Sequence, residues 1–285
     1  MIELAEREIA QAVSAALVED VGSGDITTRA IIPPTATAHG RMVARESLVV
    51  AGLAFASAAF RALSRLLKVR ELACDGDRVA AGAPLLEVRG PARPLLSAER
   101  VALNFLQRLS GVATTTAAYV QAVAGTHARI LDTRKTTPGW RRFEKYAVQC
   151  GGGCNHRMGL FDRFLVKDNH LFALRKAPEG AIAAAVRLCR QHDPTLKVEV
   201  EADTLEQVGE ALAAGADFIL LDNMPVATLR KAVKLVNGRA VTEASGGVRL
   251  DTVRGIAETG VDFISVGALT HSARAVDIAL DLVER

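Results

Sequence analysis

The sequence predicts an α/β protein, with an α+β N-terminal region followed by an incomplete α/β barrel of about six parallel strands. Two observations carry this reading. From residue 129 onward, short β-branched or apolar runs begin near Ile130, Leu165, Val198, Phe218, Ala240 and Phe263, and a helical pattern follows each. The last four starts stand 20, 22 and 23 residues apart, the length of one strand, one helix and two short loops. Nearly every run also ends in groups able to do chemistry: DTRK at 132–135, VKDNH at 166–170, EVE at 199–201, LLDN at 220–223, EASGG at 243–247 and SVGALTHS at 265–272. A barrel converges such ends on one face, whereas a doubly wound sheet spreads them along a line, so the barrel is favoured. Six runs in place of eight make it incomplete.

The helices between the runs have apolar stripes, Leu205, Val208 and Leu212 in one and Val226, Leu229 and Val233 in the next. Gly215, Gly238 and Gly260 fall where these helices should end, in the position that favours a left-handed cap. Gly215-Ala-Asp-Phe-Ile-Leu-Leu-Asp222 is echoed 45 residues later by Gly260-Val-Asp-Phe-Ile-Ser-Val-Gly267, an offset of two βα units. The first hundred residues lack this cadence. Helical stretches at Glu3–Leu17 and Leu53–Leu67 bracket strand-like runs around His39–Val50 and Val69–Val88, with turns at Asp75-Gly76-Asp77 and Gly82-Ala83-Pro84. DGDRVAAGAPLLEV is similar to the hairpins of biotinyl and lipoyl carriers, but no lysine lies between Lys68 and Lys135 to bear the group. A long helix is expected from Ser97 to about Ala124, with Ser97 as its N-cap and Arg100 in its first turn.

The 285 residues are 49% hydrophobic and 24% charged, which excludes a disordered or fibrous chain. A net charge of +3 and 4% aromatics give no footing for nucleic acid. Residues 129–176, however, hold eleven Arg and Lys against four acids, so this stretch carries +7 and the rest of the chain −4. A small anionic ligand is the partner such a stretch suits. The charged N-terminal residues do not read as a signal peptide, and the apolar run Leu48–Phe60 is too short to span a bilayer. Four irregularly spaced cysteines fit a reducing cytoplasm. Cys150, Cys154 and His156 form half a metal motif at most, with no second pair at zinc spacing.

Arg134, Lys135, Arg157 and Lys167 fall at or just after strand ends, where guanidinium forks and ammonium groups can bind carboxylates. His156, behind three glycines and beside Arg157, is a further donor to a carboxylate. Glu201 and Asp222 end successive strands and suit a magnesium ion, sugar hydroxyls or developing positive charge. Ser245-Gly246-Gly247 and Gly267-Ala268 end the last two strands before helices, the position at which such barrels bind phosphate. Together these describe a site for a sugar phosphate and a second, carboxylated substrate.

LNFLQRLSGVATTT from Leu103, ILDTRKTTPGWR from Ile130, EKYAVQCGGGCNHRMGLFDRFLVKDNH from Glu144, KVEVE, ILLDN, EASGGV and ISVGALTHS resemble the quinolinate phosphoribosyltransferases, also called carboxylating nicotinate-nucleotide pyrophosphorylases. The resemblance runs from EDVGSGDITT at Glu19 almost to the C-terminus. It implies an N-terminal α/β sandwich over 1–108, a catalytic incomplete barrel over 109–271, and a C-terminal helix at about 272–285 returning to the sandwich. It also implies a cytoplasmic homodimer, or a hexamer of dimers, with active sites shared between subunits.

By the same resemblance Arg134, Lys135, His156, Arg157 and Lys167 would hold quinolinate, Thr133 would be a further substrate-binding residue, and Arg100 would reach in from the partner subunit. Glu201 and Asp222 would face ribose and Mg2+, the ion being held largely through the substrate pyrophosphate. Ser245, Gly246, Gly247, Val266, Gly267 and Ala268 would cradle phosphate. Lys135, Lys167, Glu201 and Asp222 are the expected catalytic groups. The implied reaction joins quinolinate to 5-phosphoribosyl-1-pyrophosphate, giving nicotinate mononucleotide, pyrophosphate and CO2. Two rival readings are a differently tasked relative, of the molybdenum-transport-associated kind, and a Schiff-base lyase using Lys167. The intact cation set argues against the first and the surrounding arginines against the second.

Overall fold

A computed structural model describes residues 2–283, and the chain divides into two units. The first takes the residues up to 117, 138–152 and the segment from 272; the second takes 118–137 and 153–271. The boundary expected at 108/109 falls inside a single 31-residue helix, which begins in the first unit and ends in the second.

In the first unit the elements are α1 (Glu6–Val21), α2 (Ile26–Ile31), β1 (Thr37–Ala44), β2 (Leu48–Val49), α3 (Leu53–Leu63), β3 (Lys68–Glu71), β4 (Arg78–Val79), β5 (Pro84–Pro91), most of α4 (Ala92–Ala122) and, later in the chain, α5 (Arg141–Cys150). Period-two alternation makes the sheet: Gly40 and Met42 of β1 and Leu86 and Val88 of β5 are buried on one side. Glu87 faces the other side, where Arg41 donates to it at 2.6 Å and Arg70 at 3.3 Å. The DGD turn does more than reverse the chain. Asp75 accepts the Gly52 and Leu53 amides at 2.9 and 3.1 Å, capping α3 from a distance, and takes the Tyr146 hydroxyl at 2.8 Å.

Two expectations are corrected here. The long helix starts at Ala92, five residues before Ser97, with Pro94 in its first turn where a missing N–H costs nothing. Ser97 is therefore not the cap; its hydroxyl donates to Asp25 at 3.0 Å. The C-terminal segment returns to the first unit as a strand, not a helix. The last strand of the chain, Ile278–Leu282, pairs antiparallel with β1, so this sheet has four strands. Val276, Ile278, Leu280 and Leu282 alternate, and that period of two outweighs the helix propensity of the intervening Ala and Leu. Glu284 and Arg285, the tail of the expected helix, lie outside the described residues.

The second unit holds the βα repeat: β6 (Arg129–Leu131), β7 (Phe164–Val166), α6 (Asp168–Ala173), α7 (Ala181–His192), β8 (Val198–Ala202), α8 (Leu205–Ala213), β9 (Phe218–Asp222), α9 (Val226–Val236), β10 (Val241–Ser245), α10 (Val253–Ala257), β11 (Phe263–Ser265) and α11 (Ala268–His271); the C-terminal strand is β12. All six strands are parallel in the order β6-β11-β10-β9-β8-β7. This is the cyclic order of a barrel with one seam left open, between β6 and β7. A single bridge from Leu131 to Cys154 lies on the free side of β6. Gly215, Gly238 and Gly260 all have left-handed φ, as the helix ends require.

Mid-helix Gly111, in the LSGVATTT run, is where the C-terminal segment crosses α4: a Cβ there would sit 1.9 Å from the Arg274 carbonyl oxygen. Gln107 bonds the crossing chain on the next turn, donating to Ile278 O at 2.7 Å. Alanine would gain about 1 kcal/mol of helix propensity at an open site. Gly111→Ala is nonetheless expected to lower the melting temperature, because the segment leading to β12 must shift. Thermal denaturation of the purified variant checks this.

Candidate active site

In a parallel barrel, alternate residues of each strand point inward, so the strand tips and the residues two positions deeper line the same cavity. Here that parity selects Leu165 and Lys167, Glu201, Leu220 and Asp222, Glu243 and Ser245, and Ser265. With Thr133, Arg134, Lys135, His156, Arg157, Asn223, Gly246 and Gly247 they bound a cavity of about 550 Å³, the size of a small-molecule site. Eleven expected site residues thus meet in one place. Arg100 does not line it; it is an exposed residue of α4 in the first unit. Val266, Gly267 and Ala268 do not line it either. Val266 is buried with its amide on Leu131 O at 2.9 Å, and a Cβ on Gly267 would meet Lys135 Cδ at 3.1 Å, so Gly267 makes room for that lysine.

The cations are held by backbone devices. Asp132, fully buried at the end of β6, accepts the His156 amide at 2.8 Å and the Asn155 carboxamide at 2.6 Å, fixing the segment that bears His156 and Arg157. Asp162 folds the next loop by accepting the Met158 and Gly159 amides at 2.7 and 2.9 Å. Arg157 is only 8% exposed and donates to Arg163 O at 3.1 Å. Burial, and then the like charge of Arg134, lower its pKa. Among the described residues the buried Nε of Arg134 has no acceptor.

The acids at the rim differ in their partners. Lys167 forms an ion pair with Glu201, so the expected quinolinate cation and the expected ribose acid hold each other. Asp222 does not cap α9, whose N-cap is Pro225; its carboxylate takes the Asn223 carboxamide at 2.6 Å. At the end of β10, Gly246 and Gly247 have φ of +93° and +58°, consecutive left-handed conformations that glycine alone adopts without strain. Helix α10 begins only at Val253, so a phosphate at this turn would meet loop amides and not the helix N-terminus that was expected. The helix after Gly267 is a single turn.

At the cavity floor lies an array that strand-end reading missed. Glu199 and Glu243 are 0% and 1% exposed, and their Oε2 atoms lie 3.2 and 3.4 Å from His156 Nε2. Ser265 hydrogen-bonds to Glu243, and Arg163 reaches Glu199 at 3.4 Å while stacking on Phe218. Burial raises the pKa of both carboxyls. His156 and Arg163 outweigh it at Glu199 and keep that group low, while the charge of Glu199 pushes Glu243 further up. For His156 the two carboxylates outweigh burial and draw the ring up to about 9. The Arg157 amide, donating to Nδ1 at 2.7 Å, opposes full protonation; the Nε2 proton, common to both ring forms, points to the carboxylates. The three side chains also bring ligand atoms within 4.8 Å of one another, but the shared proton and the nearby arginine make a hydrogen-bonded array of them. Removing the charge at Glu199 should leave His156 and Arg163 uncompensated: Glu199→Gln is expected to cost about 3–5 kcal/mol in urea unfolding. Glu243→Gln, at the carboxyl whose pKa burial and Glu199 already raise, should cost less than Glu199→Gln.

The chain matches the family descriptions "Quinolinate phosphoribosyl transferase, N-terminal domain" over residues 25–110 and "C-terminal domain" over 112–281. It is 46% identical over 280 residues to nicotinate-nucleotide pyrophosphorylase (carboxylating) of Mycobacterium leprae (strain TN), covering 94% of each chain. It is 43% identical over 266 residues to the probable enzyme of that name from Bacillus subtilis (strain 168), covering 93% of this chain and 90% of the relative. The solved structure of NadC from Streptococcus pyogenes is similar with a TM-score of 0.93 at 40% identity over the whole of both chains. That of nicotinate-nucleotide pyrophosphorylase from Francisella tularensis also gives 0.93, at 37% identity over 99% of this chain and 98% of that one. The two-unit fold, the open six-stranded barrel and the matches along nearly all its length show that the chain belongs to the quinolinate phosphoribosyltransferase family.

Proposed function

We propose that this chain transfers the phosphoribosyl group of 5-phosphoribosyl-1-pyrophosphate to quinolinate, with loss of pyrophosphate and CO2, to give nicotinate mononucleotide for NAD biosynthesis. The observation that carries this reading for the cavity itself is the pair Arg134 and Arg157: burial and then the charge of Arg134 lower the pKa of Arg157, and among the described residues the buried Nε of Arg134 lacks an acceptor. A dicarboxylate supplies the missing acceptors. Lys135 and Lys167, which line the same cavity, extend the cation set to a second carboxylate. Nicotinate, with one carboxylate, would leave part of that set unpaired, at about 1–3 kcal/mol per buried group.

Glu201 and Asp222, which line the same cavity, would face the ribosyl centre. As the bond to pyrophosphate breaks, C1 of the ribose gains oxocarbenium character, and the two carboxylates stabilise that charge. The pyridine nitrogen attacks C1 and becomes cationic. This positive nitrogen then stabilises the electron pair left at C2 when the C2 carboxylate departs as CO2, and C2 takes a proton in its place. The arginines and lysines act by positioning and field, and no side chain need be a nucleophile. Magnesium fits a hard-oxygen donor set such as Glu201 and Asp222, but two carboxylates, one of them paired to Lys167, cannot complete its shell. The substrate pyrophosphate would provide the remaining oxygens, and the ion when bound neutralises the leaving group.

Arg100, exposed on α4, fits a role in the site of a second copy, making the active form a homodimer. The four cysteines are all free thiols, as a cytoplasmic enzyme keeps them, and no helix of the described residues is long and apolar enough to cross a membrane.

Purified protein with quinolinate, 5-phosphoribosyl-1-pyrophosphate and Mg2+ should release nicotinate mononucleotide, pyrophosphate and CO2 in equal amounts; no product under these conditions overturns the reading. Mixing Arg100→Ala with Lys167→Ala chains should restore part of the activity that each variant lacks. Verified heterodimers with no recovery would show that sites are not shared.

A further inference from the structure

At the tip of β9 the chain leaves the sheet through Asn223, whose φ is +52°, left-handed in a region where glycine is the easy choice. Asparagine does the turn no better than glycine would. What it adds is a side chain. Its carboxamide Nδ2 donates to Asp222 Oδ2 at 2.6 Å, and its backbone amide donates to Ser245 O at 2.9 Å, tying the tip of β9 to that of β10. Its Oδ1 lies over the α-carbon of Gly246, where a Cβ would come within 2.1 Å of it and 2.9 Å of the Asn223 amide nitrogen. Gly246 therefore does two things: it turns the chain at φ +93° and leaves the space in which the carboxamide rests.

We infer that Asn223 is a positioning residue for the proposed reaction, a neutral clamp that orients the Asp222 carboxylate toward the ribosyl centre, with Gly246 as the space that admits it. This rests on the reading of Asp222 given above. Among the described residues no other side chain or amide is seen to donate to the Asp222 carboxylate. Glu201 is held by a cation, Lys167. At Asp222 the partner is an uncharged amide, which fixes one oxygen without cancelling the charge and leaves Oδ1 for substrate. A carboxylate free to rotate would have to be ordered in the transition state, and the clamp settles that beforehand.

The test compares wild type with Asn223→Gly, which keeps or eases the left-handed turn while removing the carboxamide. Expected for Asn223→Gly are an unchanged or higher melting temperature, a kcat about 10–100-fold lower and a quinolinate KM within about twofold of wild type. Gly246→Ala, which pushes the carboxamide aside, should cost about threefold less in the Asn223→Gly background than in wild type, because the displaced group is already gone. A kcat of Asn223→Gly within twofold of an active wild type overturns the inference. So does a loss that comes with a lower melting temperature or falls equally on the quinolinate KM, since either marks a structural turn. An inactive wild type would instead overturn the proposed reaction, and this inference with it.

Discussion

Charge held out of water at the mouth of the barrel is the constraint on which the second unit depends. Glu199, Glu243, His156 and Arg157 are all buried, and each would cost several kcal/mol if left uncompensated. The backbone around them is built to provide compensation. Asp132 ties down residues 155 and 156, the Arg163 carbonyl receives Arg157, and the Arg163 guanidinium turns back to Glu199 across the Phe218 ring. Loops that look irregular along the chain are regular when counted as hydrogen-bond partners for these groups.

The opposite end of the barrel is secured by other means. Asp217 accepts the Val198 amide at 2.8 Å through its side chain, and its carbonyl accepts the Val241 amide at 3.0 Å. Asp262 does the same for Thr242, at 2.7 Å, and for Arg129, at 2.9 Å. Each aspartate therefore latches the strands on both sides of the one it precedes. This is the meaning of the 45-residue echo, in which Gly-x-Asp-Phe-Ile repeats: the shared residues are stability devices at the strand starts. The positions where the echo diverges, Leu221-Asp222 against Val266-Gly267, lie at the strand tips where the chemistry differs. Separating the two ends lets the tips carry unfavourable charge without loosening the strand register.

Much of this was legible in the sequence, and the exceptions have physical causes. All six strands, their helices and eleven residues that line the cavity follow from periodicity, strand-end polarity and the resemblance of the motifs. Strand-tip reading stopped one layer too early. Glu199 and Glu243 carry a signal, since each shares the inward parity of a tip residue two positions on, in Val-Glu-Val-Glu and Glu-Ala-Ser. A carboxylate in an apolar strand at inward parity is informative because its burial needs a partner. Asn223 was hidden because its role lies in a left-handed φ, which no local pattern announces. The C-terminal strand was hidden because Ala and Leu favour helices when read locally, and only pairing with β1 rewards their alternation. The start of α4 was hidden because Pro94 reads as a breaker unless it is known to sit in a first turn.

The +7 stretch shows how little a local net charge says about a site. Arg141, Arg142 and Lys145 belong to α5 in the first unit, and only Arg134, Lys135, Arg157 and Lys167 of the eleven cations line the cavity. Among these four, Lys167 holds a partner that a substrate group can replace. The Lys167 side chain is 46% exposed, so water can take over from Glu201 more readily than at the fully buried pairs of the floor. The bonds of the floor array are buried and would cost several times as much to break. In the proposed reaction a substrate carboxylate can therefore take Lys167 while the phosphoribosyl substrate takes Glu201, each replacing a contact that the free enzyme makes internally. The floor beneath keeps its partners throughout. Exchange at the rim over a fixed floor lets a nearly neutral protein admit highly anionic substrates without holding a large unpaired charge while it waits.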